Sequence, residues 1–122
     1  MSNKLIAINV LTYNGEKIIG PCLRSIFEQT YPNIEILAID NESRDKSVEA
    51  VEKFRAENKR FPIRIIKHEK NVGFAAGSYQ GIKESRGEYV FCLNQDIVLE
   101  KDFIEKIVER LDKDEKIGAI QG

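Results

Sequence analysis

The chain has 122 residues, of which 42% are hydrophobic and 32% are charged, a composition typical of one globular domain. Its 19 basic and 20 acidic residues give a net charge of −1, which argues against a nucleic-acid partner bound through bulk positive charge. No apolar run approaches the roughly 20 residues of a membrane-spanning helix, and the N-terminus lacks a signal-peptide pattern. We therefore expect neither a disordered chain nor a transmembrane segment.

Apolar β-branched runs predict five strands, and apolar residues at three-and-four spacing predict four helices between them. The strands are expected at residues 5–11, 34–39, 63–66, 89–93 and 117–120. The helices are expected at residues 18–27, 48–54, 74–85 and 103–111. Asp45 is the predicted N-cap of the second helix.

The alternation of strand and helix predicts an α/β fold, a Rossmann-like and mostly parallel sheet with helices on both faces. In such sheets ligands bind outside the carboxyl ends of the strands, near the switch in strand order. The polar residues that follow each strand are therefore the first candidates for a binding site. Cys22 and Cys92, by contrast, stand in apolar contexts and are predicted to be reduced thiols of the core, as in a cytoplasmic protein.

Polar residues follow the first two predicted strands. Tyr13 offers a flat face for a nucleobase, although a tyrosine packed on the next loop and ordinary turn chemistry would explain the same segment. Asp40 can accept hydrogen bonds from a base or a ribose, or it can form an Asx-turn before the next helix. The residues alone leave both alternatives open.

The next two candidate loops carry a small-residue segment and a carboxylate. Residues 71–77, with two glycines and two alanines, allow either the close approach of a diphosphate or a tight contact between helix and sheet. After the fourth strand, Asp96 is a natural ligand for a hard divalent ion, although it could equally just end the strand.

Five segments, taken in order, resemble the nucleotide-sugar-binding N-terminal half of inverting family 2 glycosyltransferases, which have the GT-A fold. They are VLTYN (10–14), CLRSIFEQTYP (22–32), IDNES (39–43), NVGFAAG (71–77), and GEYV (87–90) leading to NQD (94–96). Each segment is weak alone, but their order and spacing span nearly the whole chain.

The resemblance implies a role for each matching residue around the donor base. Thr12 and Tyr13 would border the base, with the Tyr13 ring against its face, and Asn14 would shape the same loop. Asp40 would form a hydrogen bond with the base.

Four further positions would complete the donor site by the same resemblance. Asn41 and Ser43 would hold the loop after the second strand. Asn71 and Gly73 would lie near the ribose and the diphosphate of the nucleotide sugar.

The segment 94–96 occupies the position of the family's DxD motif. Asp96 would there bind Mg²⁺ or Mn²⁺, and this cation would neutralise charge on the departing nucleoside diphosphate. Asn94, counted with the donor-binding residues, replaces the first Asp of the motif. This variant resembles a rhamnosyltransferase-like branch, which implies a UDP- or dTDP-linked deoxysugar. Tyr79 also departs from the pattern, because the family usually has Asn there.

On this resemblance, residues 1–122 form one nucleoside-diphosphate-sugar-binding domain of GT-A type without the acceptor half. The general base that would deprotonate a glycan or lipid-linked acceptor is expected beyond Gly122, so no residue of this chain is predicted to be catalytic. We expect a donor-binding piece of a cytoplasmic enzyme that acts at the inner face of the membrane. We also expect the edge of the strand at 89–93 to permit self-association.

Other classes of protein fit the sequence less well. A receiver domain needs an acidic pair after its first strand, where this chain has Thr12, Tyr13 and Asn14. A nucleotidyltransferase needs a glycine-rich loop at the same place, and none is present. A non-catalytic module that binds or senses a nucleotide sugar remains the alternative function.

Overall fold

The computed structural model describes residues 3–113 and consists of alternating strands and helices. The strands are β1 (Ile6–Thr12), β2 (Ile34–Asn41), β3 (Ile63–His68) and β4 (Tyr89–Asn94). The helices are α1 (Ile19–Phe27), α2 (Ser47–Glu57), α3 (Gly73–Glu84) and α4 (Phe103–Lys113). The strand predicted at 117–120 lies outside the described residues.

The four strands form one parallel sheet in the order β3-β2-β1-β4. The chain moves outward from β1 through β2 to β3 and then returns to place β4 on the other side of β1. The strand order therefore switches between β1 and β4, where a parallel sheet opens a crevice at its carboxyl edge. The predicted α/β class, with helices on both faces of a parallel sheet, is confirmed.

One face of the sheet carries the main hydrophobic core and is covered by α1, α2 and α4. Alternate residues of β1 and β2 point to this side, and they pack on the apolar stripes of those three helices. The fully buried members include Ile6, Ile8, Val10, Ile34, Ile36, Leu23, Ile26 and Ile104.

The opposite face is covered by α3, which lies close to β1 and β2. A Cβ at Gly77 would lie 2.9 Å from Leu11 Cδ2, and a Cβ at Gly81 would lie 2.6 Å from Asn9 Nδ2. Both distances are below those that real Cβ atoms show, so the two glycines are what let the helix approach the sheet. The small residues of this helix therefore serve helix–sheet packing, one of the two alternatives open in the sequence.

Two local predictions need correction. Asp45 is not the N-cap residue, because α2 begins at Ser47 after Lys46; its carboxylate nonetheless accepts the Ser47 N–H at 2.9 Å. Cys92 is not a core residue but an exposed one. It lies on β4 at the edge of the described sheet, where Asn9 of β1 and Ser78 of α3 cover its thiol only in part. None of the described helices combines the length and apolarity that crossing a bilayer requires.

Candidate functional site

A cleft of about 410 Å³ opens at the carboxyl ends of β1 and β4, at the switch in strand order. Its walls come from the segments that follow β1, β2 and β4 and from the beginning of α3. The lining residues are Leu11, Thr12, Tyr13, Ile18, Asn41, Asn71, Gly73, Phe74, Asn94, Gln95 and Asp96.

Most of the residues predicted from the sequence come together in this cleft. Those in the lining are Thr12, Tyr13, Asn41, Asn71, Gly73, Asn94 and Asp96. The others, Asn14, Asp40 and Ser43, are outside the lining, and their contacts lie within the loops that support it.

Three large apolar side chains of the cleft are exposed to solvent. Tyr13 is 46% exposed, Phe74 is 50% exposed and Ile18 is 44% exposed. Folding normally buries such groups, and an exposed aromatic ring at a cleft is available to stack on a flat ligand. The Tyr13 side chain is therefore only partly covered by the protein.

Asp40 is buried at the end of β2, and only one of its carboxylate oxygens forms a hydrogen bond with the loop that follows. Its Oδ2 accepts the Ser43 N–H at 3.0 Å, which is the turn chemistry foreseen as an alternative. Its Oδ1 is also buried and has no hydrogen-bond partner among the described residues. A buried carboxylate oxygen without a partner is costly, so this atom is an acceptor that the described residues leave unused.

The loop after β1 is joined to the loop after β2 by main-chain to side-chain hydrogen bonds. Asn14, whose φ is +48°, donates its N–H to Ser43 Oγ at 2.9 Å and accepts the Arg44 N–H at its Oδ1, also at 2.9 Å. Asparagine tolerates this left-handed conformation better than most residues. Asn14 and Ser43 thus fix the loop with Tyr13 against the loop that follows β2.

The same two loops are joined again one step further along the chain. Glu16 donates its N–H to Asp45 Oδ2 at 3.1 Å, and Lys46 donates its N–H to Glu16 Oε1 at 2.8 Å. Burial opposes ionisation of Asp45, but hydrogen bonds from Ser47 and from the Glu16 N–H outweigh it and lower the pKa of this carboxyl. The carboxylate is therefore held in its charged form.

The beginning of α3 forms the third wall. Asn71 Oδ1 accepts the Gly73 N–H at 2.8 Å, and Gly73 has a φ of +81° that other residues rarely adopt. Asn41, buried at the end of β2, donates its Nδ2 to the Gly73 carbonyl at 3.3 Å, while its Oδ1 has no partner in the described part of the chain. Asn41 thus ties α3 to the sheet at the cleft.

Asn94 and Asp96 lie exposed in the fourth wall. Within residues 3–113 the Asp96 carboxylate has no hydrogen-bond or ion-pair partner, and no group of three or more His, Cys, Asp or Glu could enclose a metal. One carboxylate and one amide suit a Mg²⁺ or Mn²⁺ ion that takes most of its ligands from a diphosphate and water. The residues present therefore fit a cation carried with a substrate, not one enclosed by protein.

Cys22 lies near this wall without contributing a nucleophile. Burial, followed by the charge of Asp96, raises the pKa of its thiol to about 11, and its Sγ lies 3.8 Å from the Asn94 carbonyl oxygen. The thiol is therefore protonated at neutral pH and has only a packing role.

Gln95 is a cleft residue that the sequence did not single out, although it stands at the centre of the NQD segment. Its side chain is bound to the residues that end β1, through three hydrogen bonds to Thr12 and Tyr13. Phe74 and Ile18 were also missed. Their only signal is that they are large apolar residues next to polar strand-end segments.

Residues 8–122 match the family model described as glycosyl transferase family 2, and the chain belongs to this family. It is 33% identical over 119 residues to the glycosyltransferase GlyG of Streptococcus pneumoniae serotype 4, covering 95% of this chain and 39% of that protein. It is 31% identical over 117 residues to the poly-beta-1,6-N-acetyl-D-glucosamine synthase of Staphylococcus epidermidis, covering 96% of this chain and 28% of that protein. The chain thus spans between a quarter and two fifths of the length of these relatives.

Two solved structures have a fold similar to that of this chain. The crystal structure of S. aureus TarS has a TM-score of 0.80 at 26% identity, over 89% of this chain and 20% of that chain. The mannosyltransferase PcManGT of Pyrobaculum calidifontis, solved with GDP-Man and Mn²⁺, has a TM-score of 0.87 at 23% identity, over 91% of this chain and 33% of that one.

Proposed function

We propose that residues 1–122 form the donor-binding domain of an inverting glycosyltransferase. The whole protein would transfer a sugar from a UDP- or dTDP-linked donor to a hydroxyl of a glycan or lipid-linked acceptor. The observation that carries the proposal is the cleft at the switch in strand order, which combines an exposed Tyr13 ring with an unpartnered Asp96 carboxylate. An aromatic face suits a base, and a lone carboxylate suits a cation bound to a diphosphate.

In this proposal the base and the ribose take the side of the cleft nearest β2. Thr12 borders the base, Tyr13 stacks on it, and Asp40 accepts a base N–H through its buried, unpartnered Oδ1. Asn14, together with Ser43, keeps these groups in place through the hydrogen bonds between their loops.

The diphosphate takes the side formed by α3 and the segment after β4. Asn41, Asn71 and Gly73 hold the beginning of α3, whose free N–H groups favour an anion. Asp96, beside Asn94, would hold the divalent cation, which when bound neutralises the charge that develops on the leaving diphosphate.

The general base of an inverting transfer is not assigned to any residue of this chain. Direct displacement at the anomeric carbon needs a group that removes the proton of the acceptor hydroxyl. Among the residues that the structure describes, Asp96 is the only carboxylate in the lining of the cleft, and it is already assigned to the cation. We therefore place the base outside residues 1–122, in the acceptor-binding part of the whole protein. The Asn94 variant supports a deoxysugar such as rhamnose as the transferred group.

Nucleotide binding tests this proposal directly. UDP, dTDP and GDP are titrated by calorimetry into the 122-residue chain, with and without Mn²⁺. Asp40→Asn, which keeps an acceptor for the Ser43 N–H, should weaken binding under both conditions, because it removes the charge that holds the base. Asp96→Ala should abolish only the gain in affinity that Mn²⁺ gives. Asp102→Ala is the matched control, since this carboxylate pairs with Lys106 away from the cleft.

The absence of nucleotide binding to the unaltered chain would refute the proposal for this domain. Binding that Asp40→Asn and Asp96→Ala leave unchanged would refute the assignment of residues. A non-catalytic nucleotide-sugar-binding module is the alternative function, supported by the single carboxylate that residues 3–113 contribute to the cleft lining. Sugar transfer by the whole protein, followed by mass spectrometry of the product, separates an enzyme from such a module.

Two further parts of the proposal concern self-association and cellular location. The free edge of β4 in the described sheet supports pairing with a second copy, and sedimentation equilibrium would then show a concentration-dependent dimer. The two free thiols support a reducing compartment, the cytoplasm at the inner face of the membrane. Fractionation of cells that express the whole protein tests this location.

A further inference from the structure

The side chain of Gln95 joins two walls of the cleft. Its Oε1 accepts hydrogen bonds from the Thr12 hydroxyl at 2.7 Å and from the Tyr13 N–H at 3.1 Å. Its Nε2 donates to the Tyr13 carbonyl oxygen at 2.9 Å. One carboxamide thus pairs with both polar main-chain groups of Tyr13, as a neighbouring strand would do.

Gly15 provides the space for this carboxamide. A Cβ at Gly15 would lie 2.6 Å from Gln95 Cδ and would overlap its oxygen, so a larger residue at this position would displace the Gln95 side chain. The φ of Gly15 is not positive, so the close approach of Gln95, and not an unusual backbone conformation, is what favours glycine here. The glycine and the glutamine therefore form a matched pair.

The loop that carries Tyr13 is held from two sides. On one side, Gly15 donates its N–H to Ser47 Oγ at 2.7 Å and Asn14 donates its N–H to Ser43 Oγ at 2.9 Å. On the other side, Gln95 supplies every side-chain hydrogen bond that links residues 12–18 with residues 94–102 within the described chain. Gln95 is therefore the side-chain connection between the wall with Tyr13 and the wall with Asp96.

We propose that Gln95 is a positioning residue that holds the Tyr13 ring at a fixed distance from the segment with Asp96. The inference rests on the proposed function, in which Tyr13 takes the base and Asp96 takes the cation on the diphosphate. A loop that is fixed before the ligand arrives loses little conformational freedom on binding, so Gln95 strengthens nucleotide binding by preorganisation.

The first experiment measures Tyr13 in the absence of nucleotide. Amide hydrogen exchange of the 122-residue chain is followed by NMR in the unaltered protein, Gln95→Ala and Gln80→Ala. The control residue is a half-buried glutamine of α3 whose side chain has no hydrogen-bond partner among the described residues. Loss of the acceptor should speed exchange of the Tyr13 amide hydrogen about three- to tenfold in Gln95→Ala alone. Unchanged exchange would overturn the proposal, because Gln95 would then not hold the loop.

The second experiment measures UDP affinity by calorimetry in the same proteins. Gln95→Ala should weaken binding by about tenfold, and Gln80→Ala should leave it unchanged. The UDP affinity of Gln95→Glu should lie between those of Gln95→Ala and the unaltered chain, because its carboxylate keeps the acceptor oxygen but cannot donate to the Tyr13 carbonyl. Equal affinity of Gln95→Ala and the unaltered chain would overturn this proposal and leave the proposed function standing. Failure of the unaltered chain to bind any of the three nucleotides would overturn both.

A double-mutant cycle separates positioning from a general loss of structure. Gly15→Ala should weaken UDP binding in the unaltered background, because the added methyl group displaces the Gln95 carboxamide. The same substitution should have little effect in Gln95→Ala, where the displaced group is absent. Additive effects would show that the two residues act separately and would contradict the matched pair. A melting temperature measured for each variant identifies any that has lost its fold.

Discussion

The two faces of the sheet differ in what they bury. The face toward α1, α2 and α4 is apolar, with residues such as Ile8 and Ile36 fully buried. The face toward α3 buries apolar residues such as Leu37 and Ile39 but also polar ones, among them Asn9, Glu35, Asn41 and Ser78. Residues of this second face, Leu11, Asn41 and Asn94, continue directly into the cleft. The first face thus provides stability, and the second provides polar groups near the candidate site.

The side-chain amide of Asn9 shows that burying polar groups on the face toward α3 is energetically unfavourable. It is fully buried, and its nitrogen and oxygen have no partner among the described residues except the neighbouring Cys92 sulfur, a weak acceptor. Burial raises the pKa of the Cys92 thiol, and the contacts with Asn9 and Ser78 oppose that shift. A buried amide with so poor a partner contributes little to stability.

The largest expected effect is the difference in stability between side-chain truncations on the two faces of the sheet. Ile36→Ala should lower the free energy of unfolding by about 2–5 kcal/mol, because it leaves a cavity in the apolar core. Asn9→Ala should cost no more than about 1 kcal/mol, since it also removes a poorly satisfied amide. Urea unfolding at pH 7 measures both values. Equal losses of unfolding free energy would mean that the face toward α3 stabilises the protein as much as the apolar face does.

A second effect compares two helix glycines. Gly81→Ala should destabilise the protein by about 1–3 kcal/mol, because the added methyl group meets Ile39 and Asn9 beneath α3. Gly20→Ala in α1 should instead stabilise it by about 0.5–1 kcal/mol, since nothing lies within 4 Å of the new Cβ. Thermal unfolding of the two variants shows whether each substitution raises or lowers the stability of the protein. Stabilisation by Gly81→Ala would contradict the close approach of α3.

A smaller effect depends on pH and concerns the beginning of α2, a helix of the apolar face. The pKa of Asp45 is lowered in the folded protein, so its contribution to stability is present above the ordinary carboxyl pKa and is lost as the pH falls through the lowered one. Asp45→Asn should therefore be less stable than the unaltered chain at pH 7, and the difference should shrink as the pH falls through the lowered pKa. A difference that does not shrink on acidification would assign the effect to packing instead of charge.

The smallest effect concerns the two thiols, one on each side of the sheet. Cys22 is buried, and its pKa is raised to about 11, whereas Cys92 is exposed on β4. Iodoacetamide at pH 8 should therefore modify Cys92 before Cys22, as peptide mass spectrometry would show. Faster modification of Cys22 would contradict the burial of α1 on the apolar face.

For the eight elements that the structure describes, the sequence predicted the types and the order with boundary errors of a few residues. Periodicity is a local property, so the apolar runs of β1 to β4 and the stripes of α1 and α4 could be recognised without knowing their partners. The rule that ligands bind at the carboxyl ends of parallel strands then led to the loops that line the cleft. Most of the candidate residues, including Tyr13 and Asp96, could be chosen in this way.

Only the tertiary structure decided which of these loops touch and what their side chains do there. Cys92 has an apolar sequence context, but the position of β4 at the edge of the described sheet leaves it exposed. Gln95 has no periodic or compositional signal, because its partners Thr12 and Tyr13 lie more than 80 positions earlier in the chain. Local sequence determines what each segment can form, whereas contacts between distant segments depend on strand order, and strand order is a property of the whole fold.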